Sequence, residues 1–345
     1  MGNRILLAAG GTGGHIIPAI AFGQYLQERG ESVTWLCGSR PLESEIFKAH
    51  HAVPRRLSLE GSPLGVSGLR SVKRWWSLVS SFFESRRILK EEKIERCALF
   101  GGYLSMPVLL AARSLGIPVI MHEQNTVAGK VTRFAARLGV PVATAWERCE
   151  GLGGKRRVYT GMPLRKIKLS DRKEAQRQLL GISLEKNAKL MVILGGSLGS
   201  RGMKKTLQAA QDMIELSGYR VLCMGIITEE RPFPEAFTHD ACWDMGPVYS
   251  AADLIVCRAG AATLAELEAL GIPSVIVPWP GAADQHQLNN AAWFSELTGA
   301  PVFLEGSSHE QFQNALAAAA GRGTGLRDMS FGAENLYKAL RSLSV

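Results

Sequence analysis

Short apolar runs alternate with helix-period segments along the whole 345-residue chain. Continuous apolar runs bounded by Gly or Pro are typical of strands buried in parallel sheets. The pattern predicts strands at Arg4–Ala9, Ser32–Cys37, Cys97–Phe100, Ile117–His122, Val140–Thr144, Arg157–Thr160, Leu190–Leu194, Tyr219–Met224, Leu254–Cys257, Ser274–Val277 and Pro301–Leu304. Helices are predicted between them, including Pro18–Arg29, Gly129–Arg137 and Ala261–Leu270. The pattern therefore indicates an α/β fold.

Two glycine-rich turns follow strands at similar depths in the two halves, at Gly10–Gly14 and Gly195–Gly199. Together with the length, they predict two doubly wound Rossmann-like domains facing a central cleft. The sequence Gly161-Met162-Pro163 interrupts the pattern before a new helix. We therefore expect an N-terminal domain of residues 1–163 and a C-terminal domain of residues 164–345, with the last helix able to pack back on the first domain.

The first glycine turn, Gly10–Gly14, ends in a histidine, His15. Four glycines in five positions indicate that a ligand approaches bare backbone N–H groups at a helix N-terminus. A dinucleotide fingerprint would need a glycine at Ile16, and a P-loop would need Gly-Lys-Ser/Thr, so neither motif is present. The alternative is a tight turn with an incidental histidine; we favour a substrate loop in which His15 moves a proton.

Composition places the chain among globular proteins, with 46% hydrophobic and 21% charged residues. No apolar stretch approaches the roughly 20 residues needed to span a bilayer, and no secretory signal is expected. The cysteines are scattered, without CxxC or clustered His, so they are predicted to be reduced and mostly buried. No metal site is expected.

Positive charge is concentrated in the first half of the chain. Residues 1–160 carry 22 Lys+Arg and 12 Asp+Glu (22 − 12 = +10), and the remaining 18 and 19 give −1. Within this half, Leu69–Lys93 combines basic residues with Trp75, Trp76, Phe82 and Phe83 at helical spacing. An anionic membrane surface and a core-packed helix with a basic outer face both fit this segment. No nucleic-acid-binding module is recognisable, so nucleic acid is not expected as a partner.

Further polar clusters stand where predicted strands end. They are Gly101-Gly102-Tyr103-Leu104-Ser105, His122-Glu123-Gln124-Asn125, Arg258-Ala259-Gly260-Ala261-Ala262-Thr263 with Glu266, and Asp284-Gln285-His286-Gln287. Each alone could be an ordinary loop. Because the carboxyl ends of parallel strands meet at one sheet edge, we expect them to build a ligand site there.

Six motifs together resemble the MurG family in their order and spacing. They are GGTGGH at 10–15, GGYLS at 101–105, HEQN at 122–125, GGS at 195–197, RAGAATLAE at 258–266 and DQHQ at 284–287. The resemblance covers residues 4 to about 300. It implies a GT-B fold and inverting transfer of N-acetylglucosamine from UDP-N-acetylglucosamine to the 4-hydroxyl of the muramyl sugar of lipid I, an undecaprenyl-linked acceptor. The product is lipid II, made at the cytoplasmic face of the bacterial inner membrane, with cell-wall synthesis proteins as further partners.

The resemblance also implies roles for residues of the first domain. His15 is the preferred base, and Glu123 is the second candidate or else orients a neighbouring side chain. The acceptor pyrophosphate is expected on the backbone of Gly13, Gly14, Gly102 and Tyr103. Asn125 is expected to contact the donor sugar or to help place the acceptor. Thr12 and Gly13 are also expected to contact the donor.

In the second domain, the resemblance assigns the donor phosphates to Ser197 together with Arg165. Glu266 is expected to accept from the ribose hydroxyls, and Ala261 to offer a backbone N–H to the sugar. His286 and Gln287 are expected on the sugar hydroxyls. The chain contains no Asp-x-Asp pair, so neither a metal nor another cofactor is expected, and UDP-N-acetylglucosamine serves as co-substrate.

The chain departs from the family pattern near the expected nucleotide site. Met162 stands where the family usually has Asn, Leu198 where it has Gln, and residues 224–228 lack the usual His-Gln-x-Gly run. These departures remove polar groups and put the roles of Ser197 and Arg165 in question. Two other functions stay open: a GT-B transferase acting on a different lipid acceptor, and a non-catalytic scaffold that binds nucleotide sugar.

Overall fold

The structure is a computed structural model of the whole chain. It describes residues 2–59, 61, 69–153, 157–195, 203, 217–225, 236–240, 242–320, 322 and 331–344, without the side chains of 69–73. The chain forms two compact units. Unit 1 comprises Met1–Arg165 and Met329–Val345, and unit 2 comprises Lys166–Asp328.

Unit 1 is built on a seven-stranded parallel sheet in the order β3-β2-β1-β4-β5-β6-β7. The strands are β1 Arg4–Ala8, β2 Ser32–Cys37, β3 Arg55–Arg56, β4 Arg96–Leu99, β5 Val119–Glu123, β6 Val142–Thr144 and β7 Arg157–Tyr159. The helices are α1 Gly13–Glu28, α2 Pro41–Ala49, α3 Leu69–Glu91, α4 Ser105–Ser114 and α5 Lys130–Arg137, joined by the C-terminal helix α11, Phe331–Arg341.

Strand β1 lies inside this sheet, is buried and apolar after Arg4, and pairs with β2 on one side and β4 on the other. Its side chains Leu6 and Ala8 join Leu36, Cys97 and Leu99 in one buried cluster. The chain winds outward from β1 to β3, then returns to β4 and winds the other way. The winding direction therefore reverses between β1 and β4, and ligands of doubly wound sheets bind at such a point.

Unit 2 repeats this plan with five parallel strands in the order β10-β9-β8-β11-β12. The strands are β8 Lys189–Leu194, β9 Tyr219–Met224, β10 Phe237–His239, β11 Leu254–Cys257 and β12 Ser274–Ile276. The helices are α6 Arg172–Leu180, α7 Gly246–Ala251, α8 Ala261–Leu270, α9 His286–Thr298 and α10 His309–Ala319. Here the reversal lies between β8 and β11, so the residues after these strands form the corresponding edge.

The C-terminal helix α11 is fastened to unit 1 by a polar cluster around Glu31. The Tyr337 hydroxyl donates to Glu31 Oε1 at 2.5 Å, and the Asn3 side chain donates to the same carboxylate at 3.2 Å. Arg341 lies 3.6 Å from it. Burial raises the pKa of Glu31, but the bonds from Tyr337 and Asn3 and the charge of Arg341 outweigh burial, so the pKa is lowered.

The predicted parallel sheets are confirmed, whereas two local predictions are wrong and two short strands were missed. Helix α1 begins at Gly13 and contains Pro18, so the predicted start at Pro18 was five residues late. Glycine is a poor helix former, and Gly13 and Gly14 therefore gave no sign of the start. Residues 301–304 form a single bridge, Ile276 to Val302, instead of a strand. The short edge strands β3 and β10 were not predicted, since two or three residues carry too little periodicity.

Candidate functional site

In unit 1 the glycine turn after β1 and the glycine turn after β4 meet around His15. A methyl group on Gly101 would lie 3.4 Å from His15 Nε2, and one on Gly102 would lie 3.5 Å from Nδ1. Both glycines and Gly11 have positive φ, between 74° and 97°. Residues other than glycine would be strained there, and a methyl group on Gly102 would also lie 2.8 Å from the Gly10 carbonyl oxygen. The two turns thus form a close-fitting site for His15 at the point where the winding reverses.

The first turn of α1 presents backbone N–H groups beside this histidine. The Thr12 carbonyl accepts from the N–H groups of His15 and Ile16, at 3.1 and 3.2 Å. Thr12 is the N-cap, and its side chain makes no capping hydrogen bond. The N–H groups of Gly13 and Gly14 precede the first intrahelical bonds, so their position suits an anion. The structure therefore places Thr12, Gly13, Gly14 and His15 at one edge.

Tyr103 is held from behind by a carboxylate that the sequence did not single out. Its hydroxyl donates to Glu43 Oε1 at 2.6 Å, and the Gly11 N–H donates to the same oxygen at 2.7 Å. Burial and the bond to Glu43 raise the pKa of Tyr103. The Tyr103 hydroxyl is thus bonded within the protein, and the predicted contact of Tyr103 with an acceptor is one made by its backbone. No sequence signal marked Glu43, which is one of many acidic residues.

Glu123 lies at the end of β5, buried to 3% exposure. Its Oε1 accepts from the backbone N–H and the side-chain amide of Asn125, both at 3.1 Å. Its Oε2 accepts from Gly129 N at 2.9 Å and from the Thr132 hydroxyl at 2.6 Å. Both oxygens therefore accept from donors within the protein. This geometry favours the second expectation for Glu123, in which it orients Asn125, over a role as base.

The neighbouring residues of the same motif form a buried chain of hydrogen bonds. His122 Nε2 lies 3.1 Å from the Gly161 carbonyl, so this nitrogen carries the proton, and Nδ1 accepts from the Gln124 amide at 3.1 Å. Burial lowers the pKa of His122 to about 4, against smaller opposing effects of the Gly161 bond and Glu123. His122 is thus neutral near pH 7 and supports the strand end.

In unit 2 the segment after β11 leads into α8 through Gly260, with Ala261 as the first helical residue. Five residues on, Glu266 is buried to 2% exposure and accepts from the Tyr249 hydroxyl at 2.5 Å through Oε2. Tyr249, on α7, was not predicted from sequence. Its hydrogen bond orients the carboxylate that the resemblance assigns to the ribose.

Buried contacts brace the Arg258–Gly260 segment from below. Arg258 donates to the Val277 carbonyl at 3.2 Å and pairs with Glu305. The Asn290 amide donates to the Ala259 carbonyl at 3.1 Å. Since these contacts tie the segment to β12 and α9, the N-terminus of α8 is held in a fixed place.

His286 and Gln287 form the start of α9, and both are partly exposed. His286 Nδ1 lies 2.7 Å from the Ala283 carbonyl, so Nδ1 carries the proton and Nε2 is the acceptor of a neutral ring. Gln287 Oε1 accepts from Trp279 N at 2.9 Å. Asp284 and Gln285 have φ of 51°, which sharpens the turn before the helix. The bond from Trp279 thus fixes the Gln287 side-chain amide, and its contact with the sugar stays a prediction.

Part of the predicted donor site lies outside the residues that the structure describes. Ser197 and Leu198 lie outside the described residues, as does the sequence from 226 to 228. Arg165 is the last residue of the first stretch of unit 1 and is partly exposed. Met162 is 1% exposed, and its carbonyl lies against Gly332 of α11. Met162 is thus a core contact, whereas the roles of Ser197 and Arg165 stay predictions.

Comparison with known proteins supplies independent evidence on the family. Residues 5–143 match the glycosyltransferase family 28 N-terminal domain, and residues 190–339 match the C-terminal domain of the same family. The crystal structure of Acinetobacter baumannii MurG superimposes with a TM-score of 0.70 over 99% of this chain and 100% of that chain, at 24% identity. At that identity the match establishes the fold, with two Rossmann-like domains.

Two curated relatives carry the name UDP-N-acetylglucosamine–N-acetylmuramyl-(pentapeptide) pyrophosphoryl-undecaprenol N-acetylglucosamine transferase. The relative from Trichodesmium erythraeum is 34% identical over 96% of this chain and 88% of its own length. The relative from Pseudomonas putida is 36% identical over 85% of this chain and 82% of its own length. Since the similarity spans nearly the whole of both proteins, the chain belongs to the MurG family of glycosyltransferases.

Proposed function

We propose that this protein transfers N-acetylglucosamine from UDP-N-acetylglucosamine to the 4-hydroxyl of the muramyl sugar of lipid I, producing lipid II. The observation that carries the proposal is the His15 site, in which a histidine is enclosed by bare glycine turns at the ligand-binding edge of unit 1. The names of the curated relatives identify the substrates. The two other functions considered from sequence lack a comparable observation.

On the acceptor side, the lipid pyrophosphate binds the N–H groups of Gly13 and Gly14, where the α1 dipole favours negative charge. His15 takes the proton of the attacking hydroxyl as the oxygen forms its bond to the anomeric carbon of the donor. The bond from that carbon to the UDP oxygen breaks, and UDP leaves with the electron pair. A single displacement of this kind inverts the anomeric configuration.

On the donor side, Glu266 accepts from the ribose hydroxyls, and the Tyr249 hydroxyl holds its carboxylate in place. The N–H of Ala261 and the side chains of His286 and Gln287 bind the sugar, while Arg165 and Ser197 hold the phosphates. Glu123 fixes the Asn125 amide so that it meets the donor sugar or places the acceptor. Developing charge on UDP is thus met by protein groups, and we propose that no metal or other cofactor takes part.

Attachment to an anionic membrane surface is part of the proposal, and helix α3 supports it. Trp75, Trp76, Val79 and Phe83 are 50%, 71%, 47% and 63% exposed on this helix. Arg86 and Arg87 lie on the same helix. Large exposed aromatic side chains flanked by cations suit the boundary between headgroups and acyl chains. Among helices in the described part of the chain, none has the length and apolar content to cross a membrane.

Transfer is tested with purified protein, radiolabelled UDP-N-acetylglucosamine and a short-chain lipid I analogue, with and without EDTA. We expect disaccharide product at the same rate in both conditions. His15→Ala should lower kcat by about 100-fold or more with little change in donor affinity. His51→Asn, at an exposed site with φ of 54°, is the matched control and should leave the rate unchanged. Donor binding without any product would overturn the transferase proposal.

The membrane contact is tested by flotation with vesicles containing phosphatidylglycerol. The double variant Trp75→Ser/Trp76→Ser should bind at least about fivefold less, because two interfacial indole groups are lost. Ile182→Ser, at an exposed apolar position of unit 2, should bind like the unmodified protein. Equal binding by all three proteins would show that α3 is an ordinary surface helix.

A further inference from the structure

A fully buried carboxylate links the two glycine turns that surround His15. Glu43 lies in the first turn of α2 and is 0% exposed. One oxygen, Oε1, accepts from Gly11 N at 2.7 Å and from the Tyr103 hydroxyl at 2.6 Å. Gly11 belongs to the turn after β1 and Tyr103 to the turn after β4. A single side chain from a third element thus joins both turns.

Two further glycines make room for this carboxylate. A methyl group on Gly10 would lie 3.3 Å from Glu43 Oε1, and one on Gly38 would lie 2.7 Å from Oε2. The same methyl group on Gly38 would lie 2.3 Å from the Tyr103 oxygen. Neither glycine has a positive φ, so the turns do not require them for backbone conformation. The space taken by Glu43 and Tyr103 accounts for both.

The two oxygens of the Glu43 carboxyl group differ in their surroundings, since the donors Gly11 and Tyr103 both bind Oε1. Within the described residues Oε2 is buried and has no hydrogen-bond partner. The Arg40 guanidinium lies 5.0 Å from the centre of the Tyr103 ring, on the side of α2. A buried polar oxygen without a hydrogen-bond partner is costly, so packing alone does not explain a carboxyl group at this position.

We propose that Glu43 is a positioning residue for the acceptor side of the transfer reaction. It does not touch substrate, because it is fully buried. By holding the Gly11 N–H it keeps the turn at its positive φ, and by holding the Tyr103 hydroxyl it fixes the second turn against the first. Both contacts keep His15 and the N–H groups of Gly13 and Gly14 directed at one place.

The test compares Glu43→Gln, Glu43→Ala and Tyr103→Phe with the matched control Glu45→Gln, an exposed residue of the same helix. Glutamine keeps one accepting oxygen and alanine keeps none, so the effect of Glu43→Gln should be smaller than that of Glu43→Ala. For Glu43→Gln we expect kcat to fall about 10- to 100-fold and the KM for the lipid I analogue to rise. The KM for UDP-N-acetylglucosamine should stay within about twofold, and Glu45→Gln should match the unmodified enzyme.

The kinetic test of this inference rests on the proposed function. A second measurement, hydrogen exchange, does not depend on activity. Hydrogen exchange of a peptide covering residues 9–15 should be at least about tenfold faster in Glu43→Gln, and unchanged in Glu45→Gln. If the unmodified protein makes no lipid II product, the proposed function fails while the exchange result still decides the role of Glu43. Unchanged exchange at 9–15, or equal rises in the KM for both substrates, would overturn the inference.

Discussion

Acidification should destabilise unit 1 through His122. The imidazole is fully buried, donates to Gly161 and accepts from Gln124, and burial lowers its pKa to about 4 from 6.5. The unfolded chain takes up a proton as the pH falls through 6.5, and the folded chain does so only near 4. The stabilisation is therefore complete above pH 6.5 and declines below it. By proton linkage, the free energy of unfolding should fall by about 2 kcal/mol between pH 7 and pH 5.

The measurement is urea unfolding at these two pH values, followed by hydrogen exchange of a peptide covering β5. His122→Gln supplies an N–H toward Gly161 but does not titrate. Its free energy of unfolding should therefore fall by about 2 kcal/mol less between pH 7 and pH 5 than that of the unmodified protein. His51→Asn removes an exposed imidazole, and its free energy of unfolding should fall as much as that of the unmodified protein. If the unmodified protein and His122→Gln lose the same free energy, His122 is not the group responsible.

Two hydroxyl groups provide the remaining predictions. Tyr249→Phe removes the hydroxyl that donates to Glu266 Oε2, and the KM for UDP-N-acetylglucosamine should rise about five- to tenfold. An unchanged KM for UDP-N-acetylglucosamine would show that Glu266 does not need this hydrogen bond. Tyr337→Phe removes a donor to Glu31 and should lower the protection of α11 in hydrogen exchange by about 1–2 kcal/mol. Because the pKa of Glu31 is lowered, that protection is complete above the ordinary carboxyl pKa and should weaken as the pH falls below it.

Much of the architecture could be predicted from sequence because parallel strands are buried on both faces. Strands such as β1 and β11 are therefore continuous apolar runs that need no alignment to recognise. The glycine turns at 10–14 and 101–102 were predicted for the same local reason, since a missing side chain is visible in the sequence itself. Their convergence on His15 follows from the strand order, which places β1 beside β4.

The supporting residues could not be predicted, because their partners are far away along the chain. Glu43 and Tyr103 are separated by 60 positions, and Tyr249 and Glu266 by 17. Nothing local distinguishes Glu43 or Tyr249 from other polar residues on a helix, although Glu266 itself was predicted. Only the sheet order brings α2 behind the turn after β4, and only burial turns an ordinary hydrogen bond into a strong constraint.

The motif His122–Asn125 shows that consecutive polar residues do not all contact substrate. Successive side chains of a strand point to opposite faces, and here His122, Glu123 and Gln124 are all buried at the strand end. Only Asn125 is partly exposed, and its amide is held by Glu123. Substitution of the first three residues should therefore act through stability and through the orientation of Asn125. A direct effect on substrate binding is expected from Asn125 alone.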